Sequence, residues 1–469
     1  MSPPPMNRFF LKTFGCQMNF AESARLKTWL VGSGFEETDD PEKADLLIFN
    51  SCGVRRSAEE RLFGHIASLQ RRKGPRLFCL AGCVANLRGE EIFRTHPFID
   101  ILCSGSRLSE LPALYFEAKE KGRASALGEG LPSFVSSLPA AQGIFCPVSI
   151  TKGCENYCSY CVVPYARGKL VSKPADDVAA EVRGMVERGI RSFLLLGQNV
   201  NEYGRDVKDS GGFPPLLGNI AAMEGVLRLS FLTSHPKDTG EDLFLVMARH
   251  GNINRYLHMP IQSASDGVLR RMNRRYTLGD YERTVASARL LVPDISIGTD
   301  IIVGFPGETS EDFDETLRFL DRMKFEDVFI FQYSERPGTA AARQFKDDVP
   351  PAEKQRRHEL ALSLQTRIMQ RKKEESFGTT YEVLIERHAE KSAGHLIGRT
   401  LMGTAVLFPG NGSLGPGDLT TVTVTGVKKG YRYGEMRQEK PSPCPPSHQS
   451  VLERLSSRTK RGISGGGNE

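Results

Sequence analysis

The run Gly153-Cys154-Glu155-Asn156-Tyr157-Cys158-Ser159-Tyr160-Cys161 constrains this chain more than any other feature. Its CxxxCxxC spacing puts three thiolates on one short loop, directly after a strand-like segment. Three thiolates this close can hold three irons of a cubane cluster and leave the fourth iron without a protein ligand. An iron–sulfur protein built only for electron transfer fills all four positions with Cys. Zinc is a rival reading, but zinc motifs favour paired CxxC or Cys/His spacings and need a fourth ligand close by. No His or Cys occurs in residues 162–176. A disulfide framework belongs to small secreted domains.

An open iron is a place to bind and activate another molecule. The usual one is S-adenosylmethionine, whose amino and carboxylate groups chelate the iron and whose sulfonium is cleaved by one electron. The protein then contributes binding, orientation and exclusion of side reactions.

With 469 residues the chain has room for two to four domains. Its 39% hydrophobic and 25% charged residues are those of a soluble globular protein. No run of eighteen apolar residues occurs, so no membrane partner is expected. Strand-like Phe9-Phe10-Leu11 follows Met1 so soon that a signal peptide has no room. The expected location is cytoplasmic, where Cys stays reduced and reads as metal-binding or catalytic. A net charge of +6 is compatible with nucleic acid without pointing to it.

Strand-like and helix-like segments alternate over residues 7–125, at 9–13, 21–31, 45–50, 57–72 and 76–81, which predicts a Rossmann-like parallel α/β sheet. Residues 126–143, rich in Gly, Ser, Ala and Pro, read as a linker. Alternation resumes over 144–376. Strand candidates fall at 148–151, 192–196, 228–233, 256–260, 296–303 and 328–333, with helix patterns between them. Six β/α repeats predict a partial barrel, whose chemistry collects at the C-terminal ends of its strands. A long polar helix at 350–376 carries Leu360, Leu364 and Ile368 on one side. Short strands at 381–385, 404–408 and 419–424 predict a small, OB-like β-barrel over 377–440. Residues 441–469 lack periodicity and read as disordered, with Cys444 a free thiol.

Cys16, Cys52 and Cys83 each end a predicted strand next to Gly or Ser. The C-terminal ends of neighbouring parallel strands converge on one sheet edge, so these thiols could bind a second cluster with one open iron. They could equally be three buried Cys acting as small hydrophobes. Cys79 rivals Cys83 but lies mid-strand, and Cys103 and Cys146 read as core.

Taken together, the motifs resemble the radical S-adenosylmethionine methylthiotransferases over about residues 8–440. Thr13-Phe-Gly-Cys-Gln-Met-Asn19, Asn50-Ser-Cys52 and Gly82-Cys83-Val-Ala85 are similar to the family's N-terminal cluster motifs. Gly153–Gly168 is similar to its radical motif. Leu195–Val200, Thr233-Ser-His-Pro236, Leu257–Ser263, Asp300–Glu308 and Tyr333–Thr339 follow in family order. Gly398-Arg399-Thr400 lies in a segment like the TRAM domain, an RNA-binding β-barrel. Ala264 departs from the family's usual Gly.

The resemblance implies two 4Fe–4S clusters, held by Cys154, Cys158 and Cys161 and by Cys16, Cys52 and Cys83, together with S-adenosylmethionine. It implies methylthiolation of carbon 2 of N6-dimethylallyladenosine at position 37, in the anticodon loop of tRNA. One S-adenosylmethionine supplies the methyl group and a second the radical. Threonylcarbamoyl-adenosine in tRNA and an aspartate of a ribosomal protein are the sister substrates. A non-catalytic iron–sulfur or RNA-binding protein is the distant alternative. An electron donor such as flavodoxin or ferredoxin, a sulfur donor and a monomeric state are expected. By motif match, Tyr160, Arg167, Gln198, Asn199 and Gly304 are candidate cofactor contacts. Lys428, Lys429, Arg432 and Arg437, interleaved with Tyr431 and Tyr433, are candidate RNA contacts, because bases of a single-stranded loop stack on aromatics. Arg270, Arg271, Arg274 and Arg275 form a second basic run.

Overall fold

The computed structural model describes residues 7–54, 56–70, 74–130, 143–208, 210–390, 392–428 and 431–437. Most of the expected linker, Lys429, and the tail with Cys444 lie outside the described residues.

Six strands form the first sheet: β1 (Arg8–Phe14), β2 (Glu36–Glu37), β3 (Leu46–Ser51), β4 (Leu77–Gly82), β5 (Ile101–Cys103) and β6 (Ala124–Ala126). All pairs are parallel, in the order β2-β1-β3-β4-β5-β6. Every residue of β3 is buried, as expected of a parallel strand covered on both faces. Helices α1 (Gln17–Gly32) and α5 (Leu111–Lys121) cover one face through Leu26, Leu30, Leu111 and Tyr115. Helices α2 (Arg56–Gln70), α3 (Cys83–Arg88) and α4 (Glu91–Thr95) cover the other through Leu62, Ile66, Val84 and Ile92. The strand order reverses between β1 and β3. Loops leave that point in opposite directions and open a crevice at the C-terminal strand ends.

The half-barrel has six parallel strands: β7 (Phe145–Ser149), β10 (Ser192–Leu196), β11 (Arg228–Phe231), β12 (Tyr256–His258), β13 (Ser296–Val303) and β14 (Asp327–Gln332). The Leu229 N–H donates to the Asn252 carbonyl and the Asn254 N–H to Leu229, which joins β11 to the next strand. A small ribbon of β8 (Thr151–Lys152) and β9 (Val171–Ser172) follows β7, with α6 (Val163–Arg167) inside it. Helices α7 (Ala175–Glu187), α8 (Phe213–Ala221), α9 (Glu241–Arg249), α10 (Asp266–Arg271), α11 (Leu278–Leu291) and α12 (Ser310–Met323) alternate with the strands, and α13 (Ala340–Gln344) follows β14. One core, including Val148, Phe193, Leu217, Phe231, Tyr281, Ile297 and Phe319, fills the space between strands and helices. Each such side chain contributes roughly 1.5–3 kcal/mol by its burial. Ala264 is fully buried in that core.

Helix α14 (Pro351–Glu375) begins beside the C-terminal end of β14, where Lys354 Nζ donates to the Tyr333 carbonyl. It ends near the strand's start, where Lys372 pairs with Glu326. Its buried positions are Lys354, Arg357, Ala361, Gln365 and Ile368, and Leu360 is exposed. Of the expected stripe, Ile368 is buried and Leu364 packs against the core, while Leu360 faces out. Lys354 and Arg357 bury their stems and place their charges on Asp347 (2.6 Å) and Glu308 (2.7 Å), as long cationic side chains can.

Strands β15 (Thr380–His388), β16 (His395–Thr400), β17 (Ala405–Pro409), β18 (Leu419–Lys428) and β19 (Tyr431–Met436) close a barrel around Val383, Ile385, Val406, Phe408 and Val422. It docks on the N-terminal ends of the half-barrel strands. Arg228, first in β11, reaches Glu382 (3.3 Å), and the Arg255 N–H donates to Leu401. The small barrel thus lies opposite the C-terminal strand ends.

Candidate functional site

The ribbon β8/β9 pinches the base of the cysteine loop, where the Cys154 N–H donates to Gly168. Within the loop each sulfur accepts an N–H. Asn156 Nδ2 donates to Cys154 Sγ (3.4 Å), the Val163 amide to Cys161 Sγ (3.4 Å), and Arg274 Nη1 to Cys158 Sγ (3.3 Å). Donors aimed at sulfur suit thiolate, which accepts hydrogen bonds more strongly than a thiol. Burial pushes the free thiols of Cys154 and Cys161 up, to about 11 and about 12. A metal taking them must displace protons.

Cys16 follows β1, Cys52 follows β3 and Cys83 opens α3 after β4, on both sides of the point where strand order reverses. The approach is tight. Gly15 sits at φ 147°, and a Cβ there would lie 2.5 Å from Cys52 Cβ, so only glycine fits. A hydrogen bond from Cys52 and then the Arg167 guanidinium pull the Cys16 thiol down to about 6, against burial, and that bond pushes Cys52 up. Asn19 Oδ1 accepts from Cys16 Sγ (3.3 Å). Asn50 Nδ2 donates to the Asn19 carbonyl (3.0 Å) and Ser23 Oγ (2.9 Å). The asparagines in both motifs therefore lock the first two cysteine loops together. Cys79, Cys103 and Cys146 are fully buried in the core.

The two triads share a wall. Helix α6 packs on α3, and Asn86 Nδ2 donates to the Ala166 carbonyl (3.0 Å). Arg167 forms a buried bidentate pair with Glu22 of α1, at 2.5 and 3.2 Å, and interacts electrostatically with Cys83 and Cys16. Arg25 reaches Glu181 (3.4 Å), which also pairs with Lys173. Arg336 joins Glu59 (3.1 Å) and donates to the Val54 carbonyl. Among the described residues every cysteine is free. None of these residues forms a group of three or more His, Cys, Asp or Glu that could hold one metal ion. The cysteines of a cubane stand wider apart, since each binds its own iron. Two cysteine triads, N–H donors on the sulfurs of the 154–161 loop and a buried arginine beside each triad fit anionic cubane clusters.

The remaining candidates divide. Gln198 lies two residues past the end of β10, and its Oε1 is buried without a hydrogen-bond partner among the described residues. Thr151 Oγ1 and Ser234 Oγ, at neighbouring strand ends, are in the same state. Buried polar atoms of this kind call for a partner. Asn199 is instead committed to the fold, donating to Asp238 (2.7 Å) and accepting from the His235 N–H (3.1 Å). Arg167 faces the first triad, with its carboxylate partner supplied by the chain. Gly304 has φ 70°, and the Lys354 stem occupies the space a side chain would take, so the close neighbour is α14. The Tyr160 ring packs on the cluster of Val268, Met272, Phe305 and Tyr333.

The basic runs divide too. Arg270 and Arg275 are exposed, Arg271 lies beside Asp312 (3.8 Å), and Arg274 is only 4% exposed. Arg432 is half-buried and its Nε donates to Ser376 Oγ (3.0 Å) beside the end of α14. Arg437 is exposed.

Three family models match in chain order: "Uncharacterized protein family UPF0004" over residues 8–104, "Radical SAM superfamily" over 148–320 and "TRAM domain" over 376–436. The chain's fold is similar to that of the radical S-adenosylmethionine methyltransferase TsrM from Kitasatospora setae, with a TM-score of 0.53 and 15% identity over 72% of this chain and 74% of that one. Its sequence is 35% identical to the tRNA-2-methylthio-N(6)-dimethylallyladenosine synthase of Syntrophotalea carbinolica, over 92% of this chain and 100% of that protein. It is 38% identical to the synthase of the same name from Acidovorax sp. strain JS42, over 92% and 97%. The chain therefore belongs to the tRNA-2-methylthio-N(6)-dimethylallyladenosine synthase family of radical S-adenosylmethionine methylthiotransferases.

Proposed function

We propose that the chain methylthiolates carbon 2 of N6-dimethylallyladenosine at position 37 of tRNA, with Cys154, Cys158 and Cys161 holding one 4Fe–4S cluster and Cys16, Cys52 and Cys83 a second. The observation that carries this reading is Arg167, which leaves the radical loop and ends beside Glu22, Cys16 and Cys83. Bound there, the clusters supply an electron for cleaving S-adenosylmethionine at one triad and a sulfur for transfer at the other.

The chain's own residues do the positioning. An aromatic C–H at carbon 2 is neither acidic nor open to ordinary nucleophiles, so hydrogen removal and sulfur delivery must occur over one atom. Holding both partners in a single crevice supplies much of that barrier as orientation. Gln198, Thr151 and Ser234 offer the unpaired polar atoms that the amino-acid end of S-adenosylmethionine needs. Exposed Phe20, Tyr157 and Tyr165 lie on the two cysteine-bearing units and offer apolar faces to the base and its neighbours.

The small barrel, the TRAM unit of residues 377–440, grips tRNA away from the reacting base. Helix α14, which runs from the mouth to this barrel, spans about 37 Å at 1.5 Å per residue. Residues 7–125 form the unit of the second cluster and 144–376 the radical unit. A flavodoxin or ferredoxin supplies electrons to a monomer in the cytoplasm, and a separate donor supplies sulfur. Among the described residues no helix is long and apolar enough to cross a membrane.

Mass spectrometry of tRNA nucleosides from a deletion strain tests the reading. Loss of the methylthio-dimethylallyl nucleoside, restored by the intact gene, is expected. Loss of the methylthio form of threonylcarbamoyl-adenosine instead would assign the chain to the sister substrate.

A further inference from the structure

Arg274 is a buried guanidinium that forms no ion pair with a carboxylate among the described residues. Its Nε donates to Tyr276 Oη (2.7 Å), its Nη2 to the Pro260 carbonyl (2.6 Å) and its Nη1 to Cys158 Sγ (3.3 Å). Its guanidinium also lies over the Tyr276 ring, 5.1 Å from the centroid. Burying a charge without a counter-ion is costly, so an arrangement that fixes one needs a reason.

The backbone around it is strained in the same sense. Asn273 and Arg275 flank Arg274 with φ 58° and 56°, and Tyr157 in the cysteine loop has φ 48°. Non-glycine residues in this region carry strain and persist where the surroundings over-determine them. Here they do. Asn273 Nδ2 donates to the Tyr157 carbonyl (2.8 Å), the Ser159 N–H to Met272 (3.0 Å) and Ser159 Oγ to the Arg271 carbonyl (2.8 Å). Three bonds thus clamp the 271–276 turn onto the cysteine loop, and the turn aims one cation at one sulfur.

We propose that Arg274 is a positioning residue for the radical cluster, an N–H donor and fixed positive charge held on the sulfur of Cys158. This rests on the reading of Cys154, Cys158 and Cys161 as cluster ligands. A cation and a hydrogen bond at a ligating thiolate stabilise the reduced, more negative state and raise the reduction potential. The counter-ion that Arg274 lacks is then the cluster itself.

The test uses the full chain with Cys16, Cys52 and Cys83 replaced by Ala, so that one cluster remains, titrated potentiometrically with detection by electron paramagnetic resonance. Arg274→Met should keep about four irons per chain and lower the midpoint potential. Arg274→Lys should fall between it and the parent. Tyr276→Phe, which keeps the guanidinium but frees its Nε, should give a smaller shift of the same sign, and serves if Arg274→Met does not fold. Unchanged potentials at normal iron content would overturn this role alone. A triple-Ala parent with no 4Fe–4S signal would overturn the ligand assignment and this proposal with it.

Discussion

Arg167 and Glu22 form a buried bidentate pair across the seam between the two cysteine-bearing units, at 2.5 and 3.2 Å. Arg167 comes from the radical loop and Glu22 from the helix that begins after Cys16, so the pair fixes the distance between the triads. Removing one partner of a buried pair leaves an uncompensated charge and costs roughly 3–5 kcal/mol. Arg167→Met should therefore loosen the seam more than it damages either loop. Methylthiolated product should fall by about 100-fold, the loss that a misplacement of about 1 Å can produce. Release of 5′-deoxyadenosine should fall far less. Liquid chromatography of both products in one reaction reads the ratio, and an equal loss of both would place Arg167 in radical generation instead.

The two triads should load separately. Anaerobically reconstituted protein should contain about eight irons and eight sulfides per chain. Replacing Cys16, Cys52 and Cys83 by Ala should leave about four of each, still able to cleave S-adenosylmethionine. Replacing Cys79 should leave the count unchanged, because that residue is fully buried mid-strand. Colorimetric iron and sulfide assays decide it.

Exposed aromatics at the mouth should grip unpaired bases. Tyr157 and Tyr165 are 45% and 44% exposed, on the cysteine loop and on α6. Base–aromatic stacking is worth about 1–3 kcal/mol per base by alanine substitution. Tyr157→Ala or Tyr165→Ala should weaken binding of an anticodon stem-loop by about 5- to 150-fold, with little change in iron content. Fluorescence anisotropy with a labelled stem-loop measures this.

Phosphate contact should fall on the exposed part of the 270–275 run. Arg270→Ala with Arg275→Ala should weaken tRNA binding and flatten the slope of log affinity against log salt by about 1–2. Arg432→Ala should leave that slope unchanged and lower thermal stability, because Arg432 sits against Ser376 beside the end of α14. A flatter slope for Arg432→Ala would place it on the RNA surface.

What the sequence revealed and what it hid follow a physical divide. Parallel strands buried on both faces, such as Leu46–Ser51 and Ser192–Leu196, announce themselves as apolar runs between helix patterns. The cysteine loops are legible because glycine and thiol chemistry are written into residue types. Strand β16 escaped because Gly398 breaks its short apolar run, and β19 because Tyr431 and Arg432 look like a nucleic-acid surface. Arg274 lay in a run of four arginines that reads as one solvated face. Only the left-handed backbone at Asn273 and Arg275 turns it inward; Asn is among the residues that tolerate that conformation, but Arg275 gives no such signal. Thr151 and Ser234 gave no signal either, because an unpaired hydroxyl shows only once its neighbours are placed.

His235 should give the cluster-free protein an acid limb of its own. It caps the turn after β11, where its Nδ1 accepts from the Lys237 N–H (3.2 Å). Burial first, and then the cations Arg274, Lys237, Arg205 and Arg275, hold its pKa far below the usual imidazole range. The ring is therefore neutral in the folded chain, while the unfolded chain takes up a proton as pH falls through about 6.5. The unfolded state binds more protons, so stability declines with falling pH, by up to about 1.4 kcal/mol per unit. His65 and His96, also lowered by burial, act in the same direction, so the comparison must be with a variant. His235→Asn keeps an acceptor near Nδ1 and cannot titrate. Between pH 7.5 and 5.5 it should lose about 1.4 kcal/mol less stability than the parent in urea unfolding. Equal losses in the two proteins would show that the imidazole takes up its proton without unfolding.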